Sequence, residues 1–380
     1  MSEDFDIKKY QKDENIKMNI ILKNYVLIPA TKIEGTIEIT PKKDIKLKKN
    51  EHKILFKITQ FEMVSYYADK IGGDKEEKSK NEDKIIIQKE IYHYFQQNLL
   101  KVGEKITIGF SFFLPGDEKS NFYPTFEFRK KRDIISIRHL LTIEMPSLET
   151  ANSVGLIIGK LPKRQFEFEE NNFSIVKTEE IKNYGKLEYK IMIPKASFPL
   201  NEKIPIQLYI DSSNLKKIKI NSIEINLERF IKIKLTINTK FWGEKADEKK
   251  KTIDSIKYED EKIKEKMNIC EALKIKKQEF NEQFITIFKN FDEEFLESQR
   301  MELTPSINSK LFECQYTISI IIIYLIPSKL LKDKTKEIEE KLEIDLYTLK
   351  PEIIDDFLSH YFNEKKNRFY NSPTENEKPK

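Results

Sequence analysis

Four histidines, two cysteines and a handful of paired charges are the first side chains of this sequence to weigh for chemistry. His52, His93, His139 and His360 lie far apart, and none stands at metal-ligand spacing from another His or from Cys270 or Cys314. His52 and His139 border segments with strand patterning, and His93 falls in the aromatic run Tyr92-His93-Tyr94-Phe95. Each is expected to be a structural or surface histidine. With Gly 10 in the whole chain, no Gly-rich phosphate cradle can be drawn. Neither a Gly-x-Ser-x-Gly elbow nor a His-Glu-x-x-His motif occurs. Acidic pairs such as Glu169-Glu170 and Asp355-Asp356 are most simply solvated. The reading is a non-enzyme, with no catalytic residue, no cofactor and no metal site.

Cations offer more. Lys8 and Lys9, with Lys12, precede the first strand-like segment; Lys42, Lys43, Lys46, Lys48 and Lys49 crowd one loop; Arg129-Lys130-Lys131-Arg132 stands near a turn. Adjacent ammonium groups beside a sheet edge suit phosphate oxygens. A cation near an anionic leaflet contributes about 1 kcal/mol. Each cluster has a plainer reading as a solubilising face, because Lys is abundant throughout; Arg is scarce, so composition accounts less easily for 129–132. Net charge is only +5, from Lys+Arg 68 against Asp+Glu 63, so no nucleic-acid partner is expected.

Near the C-terminus, Pro351 suits a first helical turn, and Glu352, Asp355 and Asp356 favour its dipole. Ile354, Phe357, Leu358 and Tyr361 fall on one stripe at helical spacing, flanked by Ile353 and Phe362. That amphipathic helix either docks a partner or packs on its own domain.

The elements that must carry these groups are strands. Lys17–Leu22, Lys32–Ile39 and Lys53–Ile58 alternate apolar and polar residues with period two. Such segments recur through the first 240 residues with turns between, the pattern of an antiparallel sandwich. The 380 residues suggest two domains. The fold class is all-β, two tandem antiparallel immunoglobulin-like sandwiches over 1–160 and 161–350, divided within Pro146–Pro162. Asp69–Lys84 reads as a solvated hairpin insert. Residues 243–277 read as a charged, partly helical insert, from the spacing of Ile253, Ile256, Ile263 and Met267; 351–380 hold the helix and a polar tail. Two distant cysteines point to a reducing compartment. The acidic, polar Met1–Asn15 is no signal peptide, and the longest apolar run, Ile318–Ile326, is short of a membrane span.

Three blocks of motifs carry a family resemblance. Pro29-Ala30-Thr31-Lys32-Ile33-Glu34-Gly35 sits where a Pro-Gly-Glu turn leads into Ile-x-Gly, with Ala30 and Thr31 replacing the turn's Gly and Glu. Val102-Gly103-Glu104, Phe110–Pro115 and Pro124-Thr125-Phe126 form the second. In the second half, Phe198–Ile206 mirrors the first turn, Asp211–Asn214 follows, and Thr304–Ile307 leads to Cys314-Gln315-Tyr316. In this order they resemble the arrestin family, most closely its arrestin-domain-containing (alpha-arrestin) branch, over roughly residues 7 to 350. Pro-x-x-Glu turns in both halves suggest an internal duplication. These motifs are structural: Gly35 relieves crowding inside a strand, and Phe110, Phe112 and Phe126 fill the sandwich interior.

The resemblance implies a cytoplasmic adaptor, recruited to the plasma membrane or endosomes. It would bind membrane-protein cytoplasmic tails and link them to endocytic or sorting proteins, with peripheral contact to anionic lipids. Lys8 and Lys9 fall where phosphate-sensing arrestins carry a Lys-Lys pair, and acidic-then-Phe segments like 351–362 recruit endocytic adaptors in some members. No Pro-Pro-x-Tyr motif is present in the tail. The alternative is a constitutive subunit of a coat or retromer-like sorting complex.

Overall fold

A computed structural model describes residues 15–24, 26–48, 51–69, 75–114, 122–130, 133–160, 173–200, 203–234, 248–259, 262–274, 304–327 and 333–348. The first unit runs β1 (Ile16–Leu22), β2 (Val26–Leu27), β3 (Lys32–Pro41), β4 (Ile45–Lys46), β5 (Glu51–Asp69), β6 (Lys75–Tyr94), β7 (Leu99–Leu100), β8 (Ile106–Phe113), β9 (Phe126–Lys130), β10 (Asp133–Met145) and β11 (Thr150–Ile158). The second runs β12 (Phe173–Ile181), β13 (Gly185–Ile193), β14 (Ser197–Pro199), β15 (Lys203–Asp211), β16 (Lys219–Ile233), β17 (Glu248–Glu259), β18 (Lys266–Lys274), β19 (Ile307–Asn308), β20 (Phe312–Ile326) and β21 (Lys334–Tyr347).

Period-two alternation becomes sheet faces directly: β1 buries Ile16, Met18, Ile20 and Leu22 and exposes the residues between them. In the first unit, β1-β3-β8 packs against β2-β11-β10-β5-β6 through one core that includes Ile20, Ile37, Phe56, Phe110, Phe112 and Ile143. The rings of Phe110 and Phe112 lie 5.0 and 5.5 Å from Phe56. A Cβ on Gly35 would come within 2.5 Å of the Ile21 carbonyl oxygen and 2.8 Å of the Phe110 ring, so only glycine fits that position. The second unit pairs β12-β13-β15-β18 with β14-β21-β20-β16-β17.

The plan repeats. Each unit has a short strand running parallel to the last strand of its larger sheet, β2 on β11 and β14 on β21. Each also has a strand paired off the main path, β9 on β10 and β19 on β20. This matches the duplication suggested by the recurring turns. At the first turn Ala30 adopts φ 65, the left-handed conformation for which glycine is suited. The Thr31 hydroxyl donates to the Ile28 carbonyl oxygen at 2.6 Å and holds that turn.

Two readings of the sequence change, those of 243–277 and of Asp69–Lys84. Residues 243–277 are not partly helical where described: β17 extends the larger sheet and β18 the smaller one. The misleading signal is a β-bulge. Asp254 faces Leu227 and Thr252 faces Glu228, leaving Ile253 as the extra residue. The bulge places Ile253 three positions before Ile256 with both partly buried, which imitates helical spacing. The charged positions between are cross-strand pairs, Lys250–Glu228 at 2.9 Å and Lys257–Glu224 at 3.3 Å. Pro146–Pro162 contains β11 as well as a single 3-10 turn at Pro146–Leu148. The run Asp69–Lys84 belongs to a hairpin, but its charges lie mostly within β6, an outer strand of the larger sheet; such charges discourage edge-to-edge association. The C-terminal helix, with Ile354, Phe357, Leu358 and Tyr361, lies outside the described residues.

Candidate functional site

The core of the second unit continues into the first. Val64 and Tyr66 of β5, Phe126 and Phe128 of β9, and Ile135 and Ile137 of β10 belong to the same buried cluster as the second unit's interior. Phe126 is therefore not an interior residue of the first sandwich; its ring lies 4.7 Å from that of Phe312 on β20.

Polar groups fix this seam. Glu62 stands at an inward position of β5, where it accepts hydrogen bonds from the Ser309 hydroxyl and, at 2.7 Å, from the Leu311 N–H. Burial pushes the Glu62 carboxyl up, while the bonds from Ser309 and Leu311 oppose that shift. Beside it Lys310 pairs with Glu82 of β6 at 2.6 Å, which draws the Glu82 carboxyl down and raises the Lys310 ammonium. The Arg229 guanidinium lies 5.0 Å from the Phe128 ring and donates to the Thr304 hydroxyl at 3.1 Å. Just after β11, Lys160 pairs with Asp345 of β21, and its N–H donates to the Thr348 hydroxyl at 2.9 Å. Two sandwiches joined in this way act as one scaffold, able to present loops and sheet edges in a fixed relation.

Of the basic positions read from the sequence, Lys42 and Lys43 are exposed in the loop after β3, where the Lys42 N–H donates to the Asn15 carbonyl oxygen at 2.8 Å. Arg129 and Lys130 close β9, facing Ile134 and Asp133 across the hairpin to β10. The side chains of residues 129–132 fall outside the described residues, as do Lys8 and Lys9. The Lys42 loop and the hairpin between β9 and β10 are not brought together. The Lys42 loop lies beyond the pair Ile16–Pro41, next to Thr150, and the Arg129 hairpin lies at the opposite end of β10. Along the 13 residues of β10, at about 3.3 Å per residue, that separation is roughly 40 Å.

The seam itself was not singled out in the sequence. A signal exists: Gln60 and Glu62 interrupt an inward-facing series that otherwise reads Ile54, Phe56, Ile58, Val64 and Tyr66. An acidic group in that phase needs donors, and the segment that supplies them lies some 250 positions along the chain.

His139 is buried against Phe122, with Thr125 and Gln60 at its two ring nitrogens, 3.2 and 3.3 Å away; burial drives it down to about 3, so it is neutral at physiological pH. His52 sits 2.6 Å from the Ser147 hydroxyl, and the His93 ring packs edge-on to Phe95 at 4.7 Å. Among the described residues no three His, Cys, Asp or Glu side chains come together as a metal site would require, and no helix is long and apolar enough to cross a membrane.

Fold and seam together define a tandem antiparallel β-sandwich scaffold. Its second half matches the family model of the arrestin (or S-antigen) C-terminal domain over residues 183–351. No curated relative matches the chain. Proteins of this family are generally adaptors rather than catalysts.

Proposed function

We propose that this protein is a non-catalytic adaptor of the arrestin-domain-containing branch. It binds cytoplasmic tails of membrane proteins and links them to endocytic or intracellular sorting machinery. It works in the cytoplasm and is recruited to the plasma membrane or endosomes. The observation that carries this reading is the arrestin C-terminal domain within a duplicated sandwich scaffold.

Phosphate on a tail would be met by Lys8, Lys9, Lys42 and Lys43, with a second contact at Arg129–Arg132. Asn15, six residues after Lys9 in sequence, accepts a hydrogen bond from the Lys42 N–H. Capture on phosphorylated and unphosphorylated tail peptides tests the mechanism. The wild-type chain is expected to hold the phosphorylated peptides more tightly. Reversal of Lys8, Lys9, Lys42 and Lys43 to Glu is expected to weaken that capture by at least about tenfold, since a charge-assisted hydrogen bond contributes roughly 1.5–3 kcal/mol. Equal capture by wild type and variant would count against the phosphate mechanism.

A further inference from the structure

Two exposed apolar side chains stand on a loop platform where most large apolar residues are buried. Val102 is 61% exposed and Leu99 39% exposed. Both belong to the platform formed where β4 pairs with β7 at the end of the first sandwich. Lys46 is the cross-strand partner of Leu99, and Lys101 adjoins Val102. Lys43, Lys46, Lys48 and Lys101 are exposed, and among the described residues none of these four is in an ion pair.

The platform is built. The Val102 N–H donates to the Asp44 carboxylate at 2.8 Å and the Lys101 N–H to the Glu104 carboxylate at 3.3 Å. Gly103, at φ 75, turns the chain and donates to the Pro41 carbonyl oxygen at 2.9 Å. The Leu47 N–H reaches the Asn98 carbonyl oxygen at 2.8 Å, and Leu47 and Leu100 anchor the base in the core. Val102 is thus held outward by its own turn.

We propose that this tip docks on an anionic lipid bilayer, with Val102 and Leu99 entering the headgroup–acyl boundary and the lysines meeting lipid phosphates and carboxylates. Charge selects this occupant: the four lysines outnumber Asp44 and Glu104, which are tied to backbone N–H groups. Size selects it as well. A folded partner needs about 800 Å² on each side, far more than two side chains supply. A bilayer accepts a few inserted apolar groups when cations surround them. The inference rests on the membrane-tail adaptor reading only for its biological setting; the chemistry is that of the tip.

The full chain is mixed with vesicles of phosphatidylcholine, with and without about 30% phosphatidylserine, and sedimented. Binding is expected only to the anionic vesicles. L99S/V102S is expected to weaken it about tenfold, and K43E/K46E/K101E by about a hundredfold or more, at roughly fivefold for each lysine removed. Both variants should keep the wild-type urea midpoint, since the side chains are exposed. The emission of V102W, taken as the difference from wild type, should shift to the blue on anionic vesicles. Binding to neutral vesicles alone, unchanged binding by folded variants, or sedimentation without the V102W shift would overturn the proposal. So would an equal shift with a soluble phosphopeptide, which would make the tip a peptide site. If L99S/V102S loses vesicles and keeps tail peptides, the adaptor reading stands by itself; the reverse result removes the adaptor reading and leaves the lipid site.

Discussion

Arg138→Ala is expected to destabilise the first sandwich by about 3–5 kcal/mol. Arg138 on β10 grips Glu127 on β9 with two hydrogen bonds, Nε to Oε2 at 3.1 Å and Nη2 to Oε1 at 3.0 Å. Their side chains are 4% and 0% exposed. A forked guanidinium on a carboxylate supplies the geometry that repays much of the cost of taking both charges out of water. Removing one partner leaves the other charged, with its hydration already lost. Glu127→Ala should therefore cost a similar amount, and replacing both by leucine should cost far less than the sum of the two alanine substitutions. Urea denaturation of the four proteins measures the coupling. Single substitutions costing below about 1 kcal/mol would mean that water reaches the pair. The pair also staples β9 to β10, the hairpin that carries the Arg129–Arg132 cluster at its turn and the seam residues Phe126 and Phe128 on its strand.

The second large effect is on acid stability. His139, held down to about 3 when folded, returns to about 6.5 when the chain unfolds. Below pH 6.5 the unfolded chain binds a proton that the folded one refuses, so stability is lost as pH falls, and the loss continues until the folded group titrates. Between about pH 7 and pH 5 this amounts to roughly 2 kcal/mol. His93, also lowered by burial, acts in the same direction, and Glu62, raised by burial, acts in the opposite one. His139→Gln keeps a neutral hydrogen-bonding group near Thr125 and Gln60. Its urea midpoint should start lower at pH 7 and then fall distinctly less than the wild type's on going to pH 5. Parallel curves for the two proteins would show that His139 titrates in the fold as it does in the unfolded chain, and would contradict the burial argument.

Much of the fold was legible because a strand with one buried face writes its geometry into alternate residues, as in Ile16–Leu22. The duplicated turns, with Ala30 in a glycine conformation, marked the same motif twice. The segment 248–274 was misread because one extra residue, Ile253, shifts the phase of β17, and a three-residue spacing then looks helical. The seam was illegible for a different reason. Phe126 carries the same apolar signal whether it faces its own sandwich or Phe312, and the partners of Glu62 lie too far along the chain for local pattern to connect them. The lysines of the 42–49 loop were visible as a cluster. Their neighbours Leu99 and Val102, some 50 positions on, were not; only the pairing of β4 with β7 joins them.

The adaptor account rests on cargo, and proximity labelling by the full chain in its own cell tests it most directly. Labelled partners should be dominated by membrane proteins with cytoplasmic tails and by endocytic or sorting proteins, with a set of cargo that changes with conditions. A fixed, stoichiometric set of soluble subunits that co-fractionates with the chain at large size would contradict it, and would identify a constitutive coat component instead.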